Sequence, residues 1–126
     1  MANAGLPVEI DEAAILFKIP QLFLHGMSDV ALYEATRGFW KVGPRRDAAH
    51  YALAVHEGIV REVYTIERWQ PAGTAVIRTR PQPTGAGRWE FVGRLAPDAI
   101  RSKYVGRSVK HYFTTGNQNP VRYVNC

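Results

Sequence analysis

Cysteine is nearly absent: the chain of 126 residues has one, and it is the last residue, Cys126. That excludes a disulfide framework and any zinc or iron–sulfur site built on several thiolates, and it points to a reducing compartment. Long apolar runs are missing too. No stretch approaches the roughly 18 to 20 residues that span a bilayer, and the opening MANAGLPVEIDEAA lacks the basic-then-apolar order of a signal peptide. A soluble, cytoplasmic protein with no membrane partner is expected. Internal repeats and low-complexity tracts are also lacking, and the length suits one domain. With 46% hydrophobic and 21% charged residues, the chain can bury a core and is not disordered. Residues 1–12 read as a mobile leader to it.

Catalytic and metal-binding patterns are just as scarce. His25, His50, His56 and His111 show neither HxxxH nor HExxH spacing, and no carboxylate cluster joins them, so no metal or cofactor is expected. No Ser sits in a G-x-S-x-G elbow. The run PTGAG at residues 83–87 has no Lys-Ser/Thr after it and reads as a loop tip rather than a phosphate cradle. KYVGRS at residues 103–108 resembles the second half of the GIY-YIG nuclease signature. None of the residues after Ser108 is acidic, so the metal ligand of such a nuclease is missing. The pattern points away from an enzyme.

Negative charge is thin where positive charge is dense. Up to residue 36 one cation, Lys18, faces five carboxylates, a net of −4; from residue 37 onward fifteen cations face six carboxylates, a net of +9. Twelve of the sixteen cations are Arg, whose planar fork suits phosphate oxygens and base edges. A polyanionic partner is favoured; charge alone leaves a solvated basic surface that keeps the protein soluble as an even alternative.

Local signals then place the elements. AILFKI at residues 14–19 is a strand closed by Pro20. Ser28 caps a helix over residues 29–37, with Asp29 in its first turn and Gly38 at its left-handed end. YALAVH and IVREVYTI, joined by Glu57-Gly58, form a hairpin with Tyr51, Leu53 and Val55 facing Val60, Glu62 and Tyr64. A second hairpin pairs residues 74–80 with residues 88–95, where Trp89, Phe91 and Leu95 point inward and Arg88, Glu90 and Arg94 outward. Pro97 opens a helix that Gly106 ends, and residues 121–125 close the chain as a strand. This order without strand–helix alternation predicts an α+β fold, a small, mainly antiparallel β-barrel with two or more short helices.

Two stretches carry candidate binding residues. In RGFWKVGPRR, Arg37, Lys41, Arg45 and Arg46 surround Phe39 and Trp40; cations on phosphate and a ring on a base hold single strands and flipped bases. Trp69 and Trp89 read as core. In KHYFTTGNQNP, Lys110 supplies a cation, and Asn117 and Asn119 supply amides able to read a base edge.

With these elements in place, residues 28–126 resemble the PUA-like superfamily, nearest its EVE, ASCH and YTH branches. The chain is also similar to bacterial domains carrying ATRGxWKVG (residues 35–43), YAxAVxxGIVREVY (51–64) and YVGxSV with QNPVRYVN (104–125). The resemblance implies binding of RNA or DNA, often of a modified base in a pocket between barrel and helix. The expected function is therefore a non-catalytic nucleic-acid-binding module. The alternatives are a small enzyme or ligand-binding domain acting on a nucleotide in the same cleft, and a subunit whose basic face meets an acidic protein.

Overall fold

A computed structural model describes residues 5–19, 27–79, 87–113 and 119–126. The elements run β1 (Ala14–Lys18), α1 (Asp29–Arg37), a 3-10 helix (Pro44–Ala48), β2 (Tyr51–His56), β3 (Ile59–Pro71), β4 (Trp89–Leu95), α2 (Asp98–Tyr104), a second 3-10 helix (Lys110–Tyr112) and β5 (Val121–Val124). The strands form one five-stranded mixed sheet in the order β4-β3-β2-β1-β5. β1 runs parallel to β2, and the other pairings are antiparallel. The fold is α+β. The sheet is open, with β4 and β5 at its two edges, so the described strands do not close the expected barrel. Among the described residues, no helix is long and apolar enough to cross a membrane.

β1 is apolar at consecutive positions because both faces of the sheet are covered. Leu16 joins Leu53, Val55, Val60 and Val63 in a core on one face, sealed by Ile10, Ala96, Tyr104 and Val109. Ile15 and Phe17 join Ala52, Ala54, Tyr64 and Phe91 on the other, under Ala35 of α1 with Trp40 packed alongside. The small side chains Ala52 and Ala54 leave the room that these rings fill.

Local chemistry forms the turns and caps largely as expected. The Ser28 hydroxyl accepts the Ala31 N–H at 3.1 Å, and Glu57 and Gly58 both take positive φ, 53° and 76°, as a two-residue hairpin turn requires. Gly106 takes φ 85° after α2. Gly38 departs from expectation: it is extended, not left-handed, and its value is closeness, because a Cβ there would lie 3.1 Å from Glu90 Cβ.

Two bulges reset the register. Val55 pairs with Val60 but Ala54 with Glu62, leaving Arg61 as an extra residue, so Leu53 meets Val63 and not Glu62. A second extra residue, Glu67, separates the Ile66–Gly93 and Arg68–Val92 pairs. A bulge moves the later side chains of its own strand to the other face, which turns Tyr64 from the Leu53 side to the Ala52 side; on β4, against expectation, Glu90 is buried at 0% exposure beside the equally buried Phe91, and Leu95 is exposed. The partner of β4 is the far half of β3, not residues 74–80. Residues 72–79 form no strand, because their backbone donors serve two buried carboxylates described below. Arg80 lies outside the described residues.

Residues 5–12, expected as a mobile leader, are docked. Pro7 bridges Ser108, Gly5 N–H donates to the Gly106 carbonyl at 2.6 Å, and Ile10 and Asp11 N–H donate to the hydroxyls of Tyr112 and Tyr104. The apolar pair Val8 and Ile10 is what holds this segment to the core.

Candidate functional site

Among the described residues, a pocket of about 500 Å³ lies between α1, β3, β4 and residues 76–78. Its apolar lining comes from Val30, Leu32 and Val76 and from the rings of Tyr33 and Tyr64, whose centroids stand 5.2 Å apart. Three carboxylates, Asp29, Glu34 and Glu62, and three cations, Arg37, Arg78 and Arg94, also line it.

Most of these charges are already committed. Glu34 of α1 is buried and accepts the backbone N–H groups of Arg78 and Thr79, the latter at 2.7 Å, and the Thr79 hydroxyl at 2.6 Å. Burial alone would raise its pKa, but these donors and the nearby Arg37 charge hold it below the ordinary carboxylate value. Glu90 of β4 does the same for the start of the loop, accepting Gly73 and Ala75 N–H, each at 2.9 Å, and the Gln70 amide at 2.6 Å. The two carboxylates thus pin both ends of residues 73–79 to α1 and β4. Glu62 receives a two-point bond from Arg101, Nε at 2.8 Å and Nη2 at 3.0 Å.

Tyrosines supply the remaining polar groups. The Tyr33 hydroxyl accepts the Gly93 N–H at 3.0 Å. This contact depends on Gly93, since a Cβ there would lie 2.2 Å from the Thr65 carbonyl oxygen. Tyr64 is 3% exposed, and its hydroxyl has no partner among the described residues. Burial, reinforced by the Glu62 charge, raises its pKa above that of an ordinary phenol, so it stays protonated.

The residues singled out from the sequence are dispersed. Arg37 is 8% exposed and belongs to this pocket's wall, donating to the Phe91 carbonyl at 3.1 Å with Glu90 at 3.8 Å and the Tyr33 ring beneath it. Trp40 is packed, not presented: its ring stacks on Phe17 at 4.7 Å and its indole N–H donates to the Thr36 carbonyl at 2.8 Å. Arg46 lies on the Trp89 ring at 3.8 Å. Arg45 is exposed, sits over Tyr123 and donates twice to the Cys126 carbonyl. Lys41 is exposed. Lys110 is exposed and stands apart beside the β2–β3 turn, where a Cβ on Gly58 would come 2.1 Å from its Cγ. Asn119 stays in a turn role, its Oδ1 accepting the Val121 N–H, and Asn117 lies outside the described residues, as does His25.

Sequence reasoning missed Tyr33, Tyr64, Glu34, Arg78 and Glu90. Glu34 left a trace, as a carboxylate on an otherwise apolar turn of α1; Tyr64 reaches the pocket through the register shift at Arg61, and Arg78 and Glu90 come together with α1 through the loop that Glu34 and Glu90 hold. Among the described residues, no group of His, Cys, Asp and Glu is arranged to hold a metal ion. His56 is tied into the hairpin end, with Nδ1 2.8 Å from the Ile19 carbonyl and Nε2 3.1 Å from Glu57. No protein-family model, curated protein or solved structure matches this chain.

Proposed function

We propose that the chain is a non-catalytic nucleic-acid-binding module of PUA-like type, in which one base leaves the stack and enters the pocket beside α1. The observation that carries this reading is that pocket of about 500 Å³, within the size range of small-ligand sites, with paired tyrosine rings inside and arginines at its edge. An extruded base gains its affinity from ring contacts and edge hydrogen bonds, while phosphates need cations outside. Arg78, exposed at the rim, fits the nearest phosphate; Lys41, Arg45 and Lys110 are exposed cations available to the flanking strand. The barrel kinship draws support from β3, which pairs with β2 along one half and β4 along the other across two bulges, the device that curls small sheets.

Filling the pocket tests the reading without disturbing the core. Val76 lines the pocket and is 78% exposed, so Val76→Trp should leave thermal melting unchanged and weaken binding of single-stranded RNA or DNA at least tenfold in an anisotropy titration. A wild-type chain that binds no oligonucleotide, or a variant that binds as well as wild type, overturns it. Mononucleotide binding that gains nothing from a longer strand would favour a small-ligand domain instead.

A further inference from the structure

The pocket's hydrogen-bonding groups are unevenly divided between protons to give and oxygens to receive. Both Glu34 oxygens accept from Arg78 or Thr79, and both Glu62 oxygens accept from Arg101. The Tyr33 oxygen accepts the Gly93 N–H, which leaves its own proton to donate. Tyr64, 3% exposed, contributes a hydroxyl with no partner among the described residues. Asp29, exposed in the first turn of α1, is a lining carboxylate with no hydrogen bond among the described residues. Among the described residues, then, two phenolic protons are available inside, against one interior side-chain oxygen that accepts no bond, that of Tyr64, with the Asp29 carboxylate at the mouth.

We propose that the pocket selects a base presenting carbonyl oxygens over one presenting amino groups, with the Tyr33 and Tyr64 hydroxyls as the donors that read it. This rests on the base-pocket reading above. A carbonyl can take both phenolic protons through its two lone pairs. An amino group finds one interior side-chain oxygen that accepts nothing yet, that of Tyr64, and it brings its own protons up to the Tyr33 donor. Sites built around a specific buried hydrogen bond reject the analogue that cannot make it, because a polar group is left desolvated and unpaired. Arg78 at the rim adds a cation for the attached phosphate, and among the described residues its guanidinium has no partner. The ligand class is thus a nucleotide within a strand whose base is oxo-substituted at the edge entering the pocket.

Two short single strands that differ only at the central position, uracil in one and cytosine in the other, probe that edge, since uracil carries a carbonyl oxygen and N3–H where cytosine carries an amino group and a bare N3. In anisotropy titrations of the full chain, the uracil strand should bind about tenfold more tightly, one hydrogen bond's worth of discrimination. Tyr64→Phe, which removes the hydroxyl and keeps the ring, should bring the two affinities within about twofold while its melting stays near wild type. Tyr33→Phe should narrow the ratio in the same direction. Equal affinities in the wild-type chain, or a preference that survives both substitutions, overturns the proposal. Failure of the underlying reading looks different: Val76→Trp would then leave the binding of both strands unchanged.

Discussion

Trp40 does two structural tasks with one indole. Its face covers Phe17 of β1 and its N–H closes on the Thr36 carbonyl at the end of α1, so the ring ties the helix to the sheet. Its backbone also exchanges hydrogen bonds with Trp89, at 3.0 and 2.9 Å, which brings the loop after α1 onto β4. Removing the ring leaves a void against Phe17 and orphans a carbonyl. Trp40→Ala should therefore destabilise the fold by about 3–5 kcal/mol, as large-to-small core changes do, measured by chemical or thermal denaturation. Oligonucleotide affinity, taken at a temperature where the variant remains folded, should change by less than about twofold, since no base-stacking energy is lost with it. A variant that melts like wild type and binds tenfold more weakly would return Trp40 to the binding surface. Arg37 follows the same logic at the other end of the segment: a cation that is buried on Tyr33 and spent on Phe91 and Glu90 organises the pocket wall before it can meet any phosphate.

Two irregular segments, residues 5–12 and 72–79, are each fastened in part by a buried or half-buried carboxylate. Glu12 accepts from the Tyr104 hydroxyl and from Lys103 at 3.1 Å, and Glu34 accepts from Arg78 and Thr79. Burial works to raise both pKa values, but these hydrogen bonds and neighbouring charges outweigh it and hold both below the ordinary value of 4.5. A carboxylate depressed in the folded state adds stability that is fully present above its unfolded pKa and disappears as pH falls through the folded one. Melting temperature should thus be flat near neutrality and fall below about pH 4.5, and Glu12→Gln with Glu34→Gln should melt lower at pH 7 and lose part of that acid dependence. An acid limb as steep as wild type in the double variant would assign it to other carboxylates. The elements themselves were legible where local chemistry decides them: Ser28, the Glu57-Gly58 turn and the β1 run all behave as their side chains dictate. The partner of β4 was not, because one extra residue at Arg61 and another at Glu67 move the later side chains of β3 to the opposite face, and no local pattern marks either. The pocket was illegible in part for the same reason, Tyr64 reaching it only through the shift at Arg61 and Arg78 and Glu90 joining α1 only through the loop that Glu34 and Glu90 hold, whereas the basic loop after α1 was conspicuous in sequence and proves largely committed to packing.

For the whole molecule the remaining question is where a strand would run across a surface of net charge +5. Total charge cannot decide it, because several cations are tied down: Arg37 inside, Arg46 on Trp89, Arg101 on Glu62, Arg107 on the carbonyls of Leu6 and Pro7. Of the cations assigned to the strand, Lys41, Arg78 and Lys110 are exposed, and Arg45 is exposed while bonded to the Cys126 carbonyl; Lys18, Arg68, Arg88 and Arg94 are exposed as well. Each phosphate neutralised contributes about −0.7 on single strands to the slope of log affinity against log salt, so engagement of the four assigned cations implies a slope of roughly −3. Lys41 and Arg45 lie on the loop after α1, while Arg78 lies at the pocket rim and Lys110 beside the hairpin turn. Lys41→Ala with Arg45→Ala should flatten the slope by about 1.4 units if the strand leaves the pocket across that loop, with a modest stability cost from the Arg45 bonds to the Cys126 carbonyl. Arg78→Ala should lower it by about 0.7 and reduce affinity for every base alike, since a phosphate contact carries no base identity. A slope that ignores the loop pair but responds to Lys110→Ala would route the strand toward the β2–β3 turn, and one that ignores all three changes would remove phosphate binding from this face altogether.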